Sequence, residues 1–357
     1  MLDKILLFPY FIALKTRHAL YDKGIRKVYH SDVPTVCVGN ITVGGTGKTP
    51  HTEMILKLLL KSDQWGMKNI AVLSRGYKRK SKGFQIVSPE SGAGFAGDEP
   101  AQIKKKFPYI TVAVDADRVE GCRLLDADVI VLDDAFQYRK LKADFNIVLI
   151  DYNRPVNKDM LLPLGNLRDL PERLGKADAI IVTKCPAAME GWEKVSFLEP
   201  LGLDYEPSTC LGRKKNGKEI PVLFTVINYC PLVPVYPEES DNRYSYSPRA
   251  ILITGIAKAA PLARYLSDSF KILRHFDFGD HHRFSKSDIR NIEAAIEANP
   301  TAAVITTEKD AQRLIDCQFI PKSLKERLFS IPVEVSFLSK EEEDVFTEVM
   351  LKKLSRS

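Results

Sequence analysis

Residues 36–50 read V-C-V-G-N-I-T-V-G-G-T-G-K-T-P, and few stretches restrict the fold of a chain as tightly. A β-branched run, Val36 and Val38, enters a loop with glycines at 39, 44, 45 and 47, and the loop closes on Lys48-Thr49. Apolar residues then recur at helical spacing, at Met54, Ile55, Leu58 and Leu59. The order is strand, glycine loop, helix. Glycines let consecutive backbone N–H groups turn onto an anion, and the helix N-terminus adds its positive dipole end. A lysine there reaches the β- and γ-phosphates of a nucleotide, and the next hydroxyl ligates Mg²⁺. Thr42, Val43, Gly44, Gly45, Thr46, Gly47, Lys48 and Thr49 are therefore expected to cradle phosphates, with Thr42 standing where G-x-x-x-x-G-K-[ST] usually begins with glycine.

Apolar runs at 69–74, 109–114, 128–133, 145–150 and 179–182 read as buried strands alternating with helical stretches. That rhythm predicts an α/β fold, a P-loop NTPase-type, mostly parallel sheet flanked by helices. It fades after about residue 190, and residues 231–247 are rich in Pro, Ser and Tyr. A strand–glycine–helix pattern restarts at Arg249 and another strand ends at Thr307. The expected division is an N-terminal helix in 1–30, a P-loop domain in 31–220, a short β linker in 221–248, and a second, smaller α/β domain in 249–357.

The strand ends carry the chemistry, because ligands of parallel sheets bind at their carboxyl edge. The run at 128–133 ends in Asp133-Asp134, and an acidic strand end is what holds Mg²⁺ opposite a P-loop. Gly97-Asp98-Glu99-Pro100 opens a helix, where Asp98 is either its N-cap or one of a carboxylate pair facing the phosphates. Arg75 follows a strand directly and is expected to meet an anion, while Lys78, Arg79, Lys80 and Lys82 read as a solvated charge run. Arg168-Asp169 is a surface pair or a ligand contact. Thr183-Lys184-Cys185-Pro186 resembles the guanine-reading T/N-K-x-D signature, but Pro186 supplies no carboxylate, which favours ATP over GTP. In the second domain Asp280-His281-His282 lies in a loop without a third metal ligand at suitable spacing, and is either a polar or capping segment before Ser285 or the source of a histidine that orients or deprotonates a nucleophile across the cleft.

Hydrophobic content of 45% and charged content of 27% place the chain among ordinary globular proteins. Six cysteines without C-x-x-C spacing argue against a zinc site or disulfide framework. Leu6–Leu14 is apolar, interrupted by Pro9 and followed by Lys15, Arg17 and His18. It is too short to span a bilayer, and either packs on the protein or lies among anionic headgroups. Basic residues are not interleaved with aromatics along a groove, so no nucleic acid partner is expected.

These motifs together resemble the tetraacyldisaccharide 4'-kinases, the lipid A 4'-kinases of Gram-negative bacteria. The resemblance rests on V-G-N-I-T-V-G-G-T-G-K-T-P, S-R-G-Y at 74–77, G-D-E-P at 97–100, D-D-A-F-Q-Y-R at 133–139, L-P-L-G-N-L-R-D at 162–169, D-H-H at 280–282 and T-T-E-K-D at 306–310. It implies ATP- and Mg²⁺-dependent phosphorylation of the 4'-hydroxyl of a tetraacylated glucosamine disaccharide 1-phosphate, giving lipid IVA at the cytoplasmic face of the inner membrane. It also implies two α/β domains joined by a two-stranded linker and an N-terminal helix that associates peripherally with the bilayer. Tyr138, Asp169 and Ala135 depart from the usual His, Glu and Gly of the family. The implied roles are Lys48 on the phosphates, Thr49 with Asp133 or Asp134 on Mg²⁺ and Glu99 as a further metal ligand. Asp98 is the implied base, paired with His281 or else His282, and Arg75, Arg118, Gln137, Arg139, Arg168 and Asp169 are candidates for the substrate or its phosphates. The rival expectation is an NTPase switch, which uses the same loop without an acceptor alcohol.

Overall fold

The structure, a computed structural model, describes residues 2–66 and 68–355, apart from the side chains of residues 2–7; those of Leu6 and Leu7 thus lie outside the described residues. The principal sheet is built on parallel strands β1 (Thr35–Gly39), β2 (Ile70–Ser74), β4 (Thr111–Val114), β5 (Val129–Asp133), β6 (Phe145–Asp151) and β7 (Ala179–Thr183). β3 (Gln85–Ile86) adds antiparallel at one edge, and β8 (Leu203–Glu206), β9 (Leu211–Lys214) and β10 (Glu219–Tyr229) extend the other. The order is β3-β4-β2-β5-β1-β6-β7-β10-β9-β8, with the late strand β16 (Val333–Phe337) also on β10.

Every residue of β1, β2, β5 and β7 is buried, as expected of parallel strands covered on both faces. Strand alternation sorts their side chains. Val36 and Val38 join a core with α2 (Lys48–Lys61) and α4 (Asp98–Lys106), whereas Cys37 faces a core with α1 (Leu2–Asp22) and α5 (Arg118–Leu124). Each fully buried apolar side chain contributes about 1.5–3 kcal/mol. β1, at the middle of the sheet, therefore holds the phosphate loop on rigid support.

The smaller sheet, β11 (Val233–Pro234), β15 (Leu328–Ile331), β14 (Ala303–Thr307), β12 (Arg249–Thr254) and β13 (Lys271–Asp277), is parallel except at β11. α8 (Lys286–Glu297) and α9 (Glu308–Ile315) pack on it. α9 turns its other side to α4 of the first body.

Two expected boundaries shift. β10 pairs with β7 through Val222–Phe224, so the principal sheet runs past 220, and the connection proper is Thr225–Tyr229 paired antiparallel with Val333–Phe337. Residues 333–354 do not belong to the smaller body. The last helix, α11 (Lys340–Leu354), buries Phe346, Met350 and Leu354 among Val36, Val38 and Phe145 of the first. The spacing of those residues announces one apolar stripe. Which body the stripe meets is a tertiary choice, made here by the return of the chain along β16.

Candidate active site

The phosphate loop leaves β1 at Gly39, where an added Cβ would stand 2.5 Å from Phe136 Cβ. The missing side chain lets the turn after β5 pass directly over the loop's base. Gly44 and Gly47 adopt φ of 85° and 84°, which non-glycine residues resist, and a Cβ on Gly45 would meet open space. Asn40 Nδ2 donates to Thr46 Oγ1 at 2.6 Å, Val43 N to Asn166 O at 2.7 Å and Arg154 to Val43 O at 2.9 Å. The loop is thus held from beneath and from the side ahead of α2, with the N–H groups of Val43 and Thr46 bonded to Asn166 O and Gly44 O.

Lys184 has a different role from a nucleobase reader. Its ammonium reaches Asp151 at 2.7 Å and the carbonyl of Gly45, while Thr183 Oγ1 donates to Thr46 O at 3.0 Å. Sequence reading also gave no role to His51, whose ring bridges Gly47 O and Thr225 Oγ1, joining the loop to the connection. Burial pushes its imidazole down to about 4, so it is neutral there.

Asp133 and Asp134 face different surroundings. Asp134, at φ 50°, turns the chain sharply and directs its carboxylate to Arg168, with Lys48 Nζ at 3.7 Å. Burial would raise its carboxyl, but Lys48 and Arg168 outweigh it and hold it down. Asp133 is buried, bonded by Ser74 Oγ at 3.1 Å and Thr52 Oγ1 at 3.4 Å. Burial, with Asp134 and Glu99 nearby, pushes its carboxyl up to about 6. Thr49 is buried at the helix start.

Asp98 is not the cap of α4. Gly97 holds that position at φ 95°, without a side-chain capping bond, and Asp98 is the first helical residue. Its carboxylate is left to face the smaller body. There His281 Nδ1 lies 2.9 Å from Asp98 Oδ2, and Arg313 donates to the same oxygen through Nε at 2.9 Å and a terminal nitrogen at 2.5 Å. Burial would raise this carboxyl too, but the bonds from His281 and Arg313 overcome it and hold it near about 2. His282 bonds Asp288 instead and stacks on Phe278. Glu99 pairs with Lys309 of α9.

The arginine candidates divide. Arg118 is buried, lies 5.3 Å over the Tyr138 ring and leaves Nε without a partner, and Arg75 is exposed nearby. Arg168 joins Asp134 and Asn40 at the cradle. Two candidates are not part of this group, because they are spent on seating α1. Asp169 is fully buried and pairs with His18 at 2.5 Å, and Arg139 bonds His18 and Asp22. Gln137 lends only its backbone carbonyl to Arg17 of α1, while its side-chain amide donates to Asn40 O at the cradle. Tyr138, the expected departure, donates to Asp117 at 2.7 Å, the N-cap of α5.

Lys309 and Arg313 were missed. Their helix was visible in T-T-E-K-D, and their spacing of four puts both on one face. Nothing local says that this face meets α4.

A family model described as Tetraacyldisaccharide-1-P 4'-kinase matches residues 4–355. The tetraacyldisaccharide 4'-kinase of Parabacteroides distasonis is 38% identical, covering 97% of this chain and 92% of that protein. Its counterpart in Phocaeicola vulgatus is 38% identical over 92% of this chain and 88% of that protein. A solved structure of LpxK from Aquifex aeolicus, described as an "apo" form in complex with ATP, superposes with a TM-score of 0.71 at 28% identity, covering 99% of this chain and 100% of that one.

Proposed function

Because this chain belongs to the tetraacyldisaccharide-1-phosphate 4'-kinase family, we propose residue roles for transfer of the γ-phosphate of ATP to the 4'-hydroxyl of a tetraacylated disaccharide 1-phosphate. The activity is that of an ATP-dependent kinase of lipid A synthesis. Phosphoryl transfer asks a protein mainly to position the partners and to neutralise charge. The loop amides of Gly44, Gly45 and residues 47–49, with Lys48, serve the β- and γ-phosphates, and Arg168 and Arg118 supply further positive charge beside them.

Thr49, Asp133, Asp134 and Glu99 offer the hard oxygen donors that suit Mg²⁺. Burial, and after it the neighbouring Asp134 and Glu99 carboxylates, push the Asp133 carboxyl up, which supports the fit, since a cation there would favour its charged form. Among the described residues no three His, Cys, Asp or Glu side chains form a metal cage, and Mg²⁺ in kinases is commonly held by one or two carboxylates together with the nucleotide. When bound, it would neutralise charge on the transferring phosphate. Glu99 can serve it only after leaving Lys309.

Asp98 takes the proton of the attacking hydroxyl as its oxygen bonds to the γ-phosphorus and ADP departs. The 2.9 Å contact between Asp98 and His281 carries this reading, because it gives the first body's carboxylate a partner from the second. An NTPase switch has no need of such a pair.

The outward side of α1 supports peripheral binding to the cytoplasmic face of the inner membrane. Phe8 and Ile12 are 61% and 43% exposed beside Lys15, while Leu14 and His18 seat the opposite side. No helix among the described residues is long and apolar enough to cross a membrane.

The test is incubation with γ-labelled ATP, Mg²⁺ and the detergent-dispersed disaccharide 1-phosphate, comparing the native chain with Asp98→Asn. Label should enter the lipid and fall by about 10²–10⁴-fold in the variant. ATP consumption without labelled lipid would replace the kinase reading with the switch.

A further inference from the structure

We infer that Arg313 is a positioning residue for the transfer step, holding Asp98 in the orientation that leaves one carboxylate oxygen open to the acceptor hydroxyl. The inference rests on Asp98 being the base, as proposed above. An ionised carboxylate only accepts hydrogen bonds. Asp98 Oδ2 accepts from two nitrogens of Arg313 and lies 2.9 Å from His281 Nδ1. Oδ1 receives none of them. The second body therefore saturates one oxygen and turns the other outward.

Arg313 is suited to this because it is itself immobilised. It is 7% exposed, and its remaining terminal nitrogen donates to Asp310 Oδ1 at 2.6 Å and Gly255 O at 2.9 Å. Asp310 is fully buried and held in turn by Gly255 N at 2.9 Å and Thr307 Oγ1 at 2.7 Å. A chain of short bonds thus runs from the start of α9 and the end of β12 to the Asp98 carboxylate. His281 alone is a weaker guide. It is half-buried on a loop at φ 62°, with Asp280 3.8 Å from Nε2 and a terminal nitrogen of Arg313 3.3 Å from Nδ1. The planar guanidinium, bonded on both edges, supplies the rigidity that a lone imidazole on a loop lacks. The backbone of Asp98 is set by Gly97 in the first body, and its side chain is set by Arg313 in the other. The base is complete only when the two bodies are apposed.

The experiment compares Arg313→Ala, Arg313→Lys and Asp98→Asn in the full chain, with kcat and both KM values from the labelled-lipid assay and folding checked by circular dichroism. Arg313→Ala should lower kcat about 100-fold, the loss typical of a displaced reacting group, with both KM values nearly unchanged. Arg313→Lys should fall between, because one ammonium cannot hold Asp98, Asp310 and Gly255 together. Millimolar guanidinium chloride should restore part of the Arg313→Ala rate, and sodium chloride at equal ionic strength should not. If Arg313 only joins the bodies, its loss raises KM or lowers the melting temperature at unchanged kcat, and the inference fails. Should Arg313→Ala not fold, the split between kcat and KM in Arg313→Lys decides. Asp98→Asn at native kcat would instead remove the base reading itself, whatever Arg313 does.

Discussion

Lys106→Met tests a charge relay that crosses from the phosphate-loop helix to the connection between the bodies. Lys106 of α4 lies 2.7 Å from Glu53 of α2 and 3.2 Å from Glu308 of α9, and Glu308 accepts the N–H of Val333 at 3.1 Å. Glu53 is 2% exposed, with Gln102 as its other partner at 2.9 Å. Burial pushes its carboxyl from 4.5 up to about 7. Burial disfavours the Lys106 ammonium, but two carboxylates outweigh it and hold its proton more firmly. A carboxyl raised on folding binds protons more tightly in the native state, so stability falls as pH rises from 4.5 towards 7. Above that window the native chain carries a constant deficit of about 3 kcal/mol from this gap. Without Lys106 the carboxyl rises further and the deficit keeps growing, to about 5 kcal/mol near pH 8.5. Near pH 5.5 Glu53 is protonated with or without Lys106, so it adds nothing to the loss. Breaking the Glu308 pair costs the same at both pH values. Urea unfolding followed by tryptophan fluorescence, with Trp65 buried at the end of α2, should therefore show the variant losing about 2 kcal/mol more near pH 8.5 than near pH 5.5. Equal losses, or a larger one in acid, would refute the reasoning.

Two further outcomes follow from the packing. Asp169→Ala strips the buried partner from His18 and should loosen α1 by about 1–3 kcal/mol, read as faster tryptic cleavage after Lys15 and Arg17. Cleavage at the native rate would mean that α1 is held elsewhere. Phe346→Ala empties a fully buried site and should cost about 3–5 kcal/mol, with hydrogen exchange accelerated in β6 and β10 rather than in β12 and β14. Faster exchange confined to the smaller sheet would assign α11 to the wrong body.

The parts legible in the sequence are those whose causes are local. Glycines at 44 and 47 are needed for left-handed backbone, the β-branched runs for doubly buried strands, and Lys48-Thr49 for a helix start that meets phosphate. Each follows from residues within a few positions of one another, so spacing alone announced the cradle and the parallel sheet around it. Local sequence left Asp98 as cap or carboxylate and did not divide His281 from His282; their roles came from the family resemblance.

What the tertiary structure decided is who meets whom. Asp169 and Arg168 are neighbours in the chain, yet one is buried against His18 of α1 while the other bonds Asp134 at the cradle, because the bend there sends the two side chains to different partners. α11 could have covered either body, and β16 delivers it to the first. Lys309 and Arg313 look like an ordinary charged helix face until α9 docks on α4, more than 200 positions away along the chain. A hydrogen bond depends on separation in space, and sequence records separation only along the backbone. The residues that hold Asp98 therefore became visible only when α9 of one body met α4 of the other.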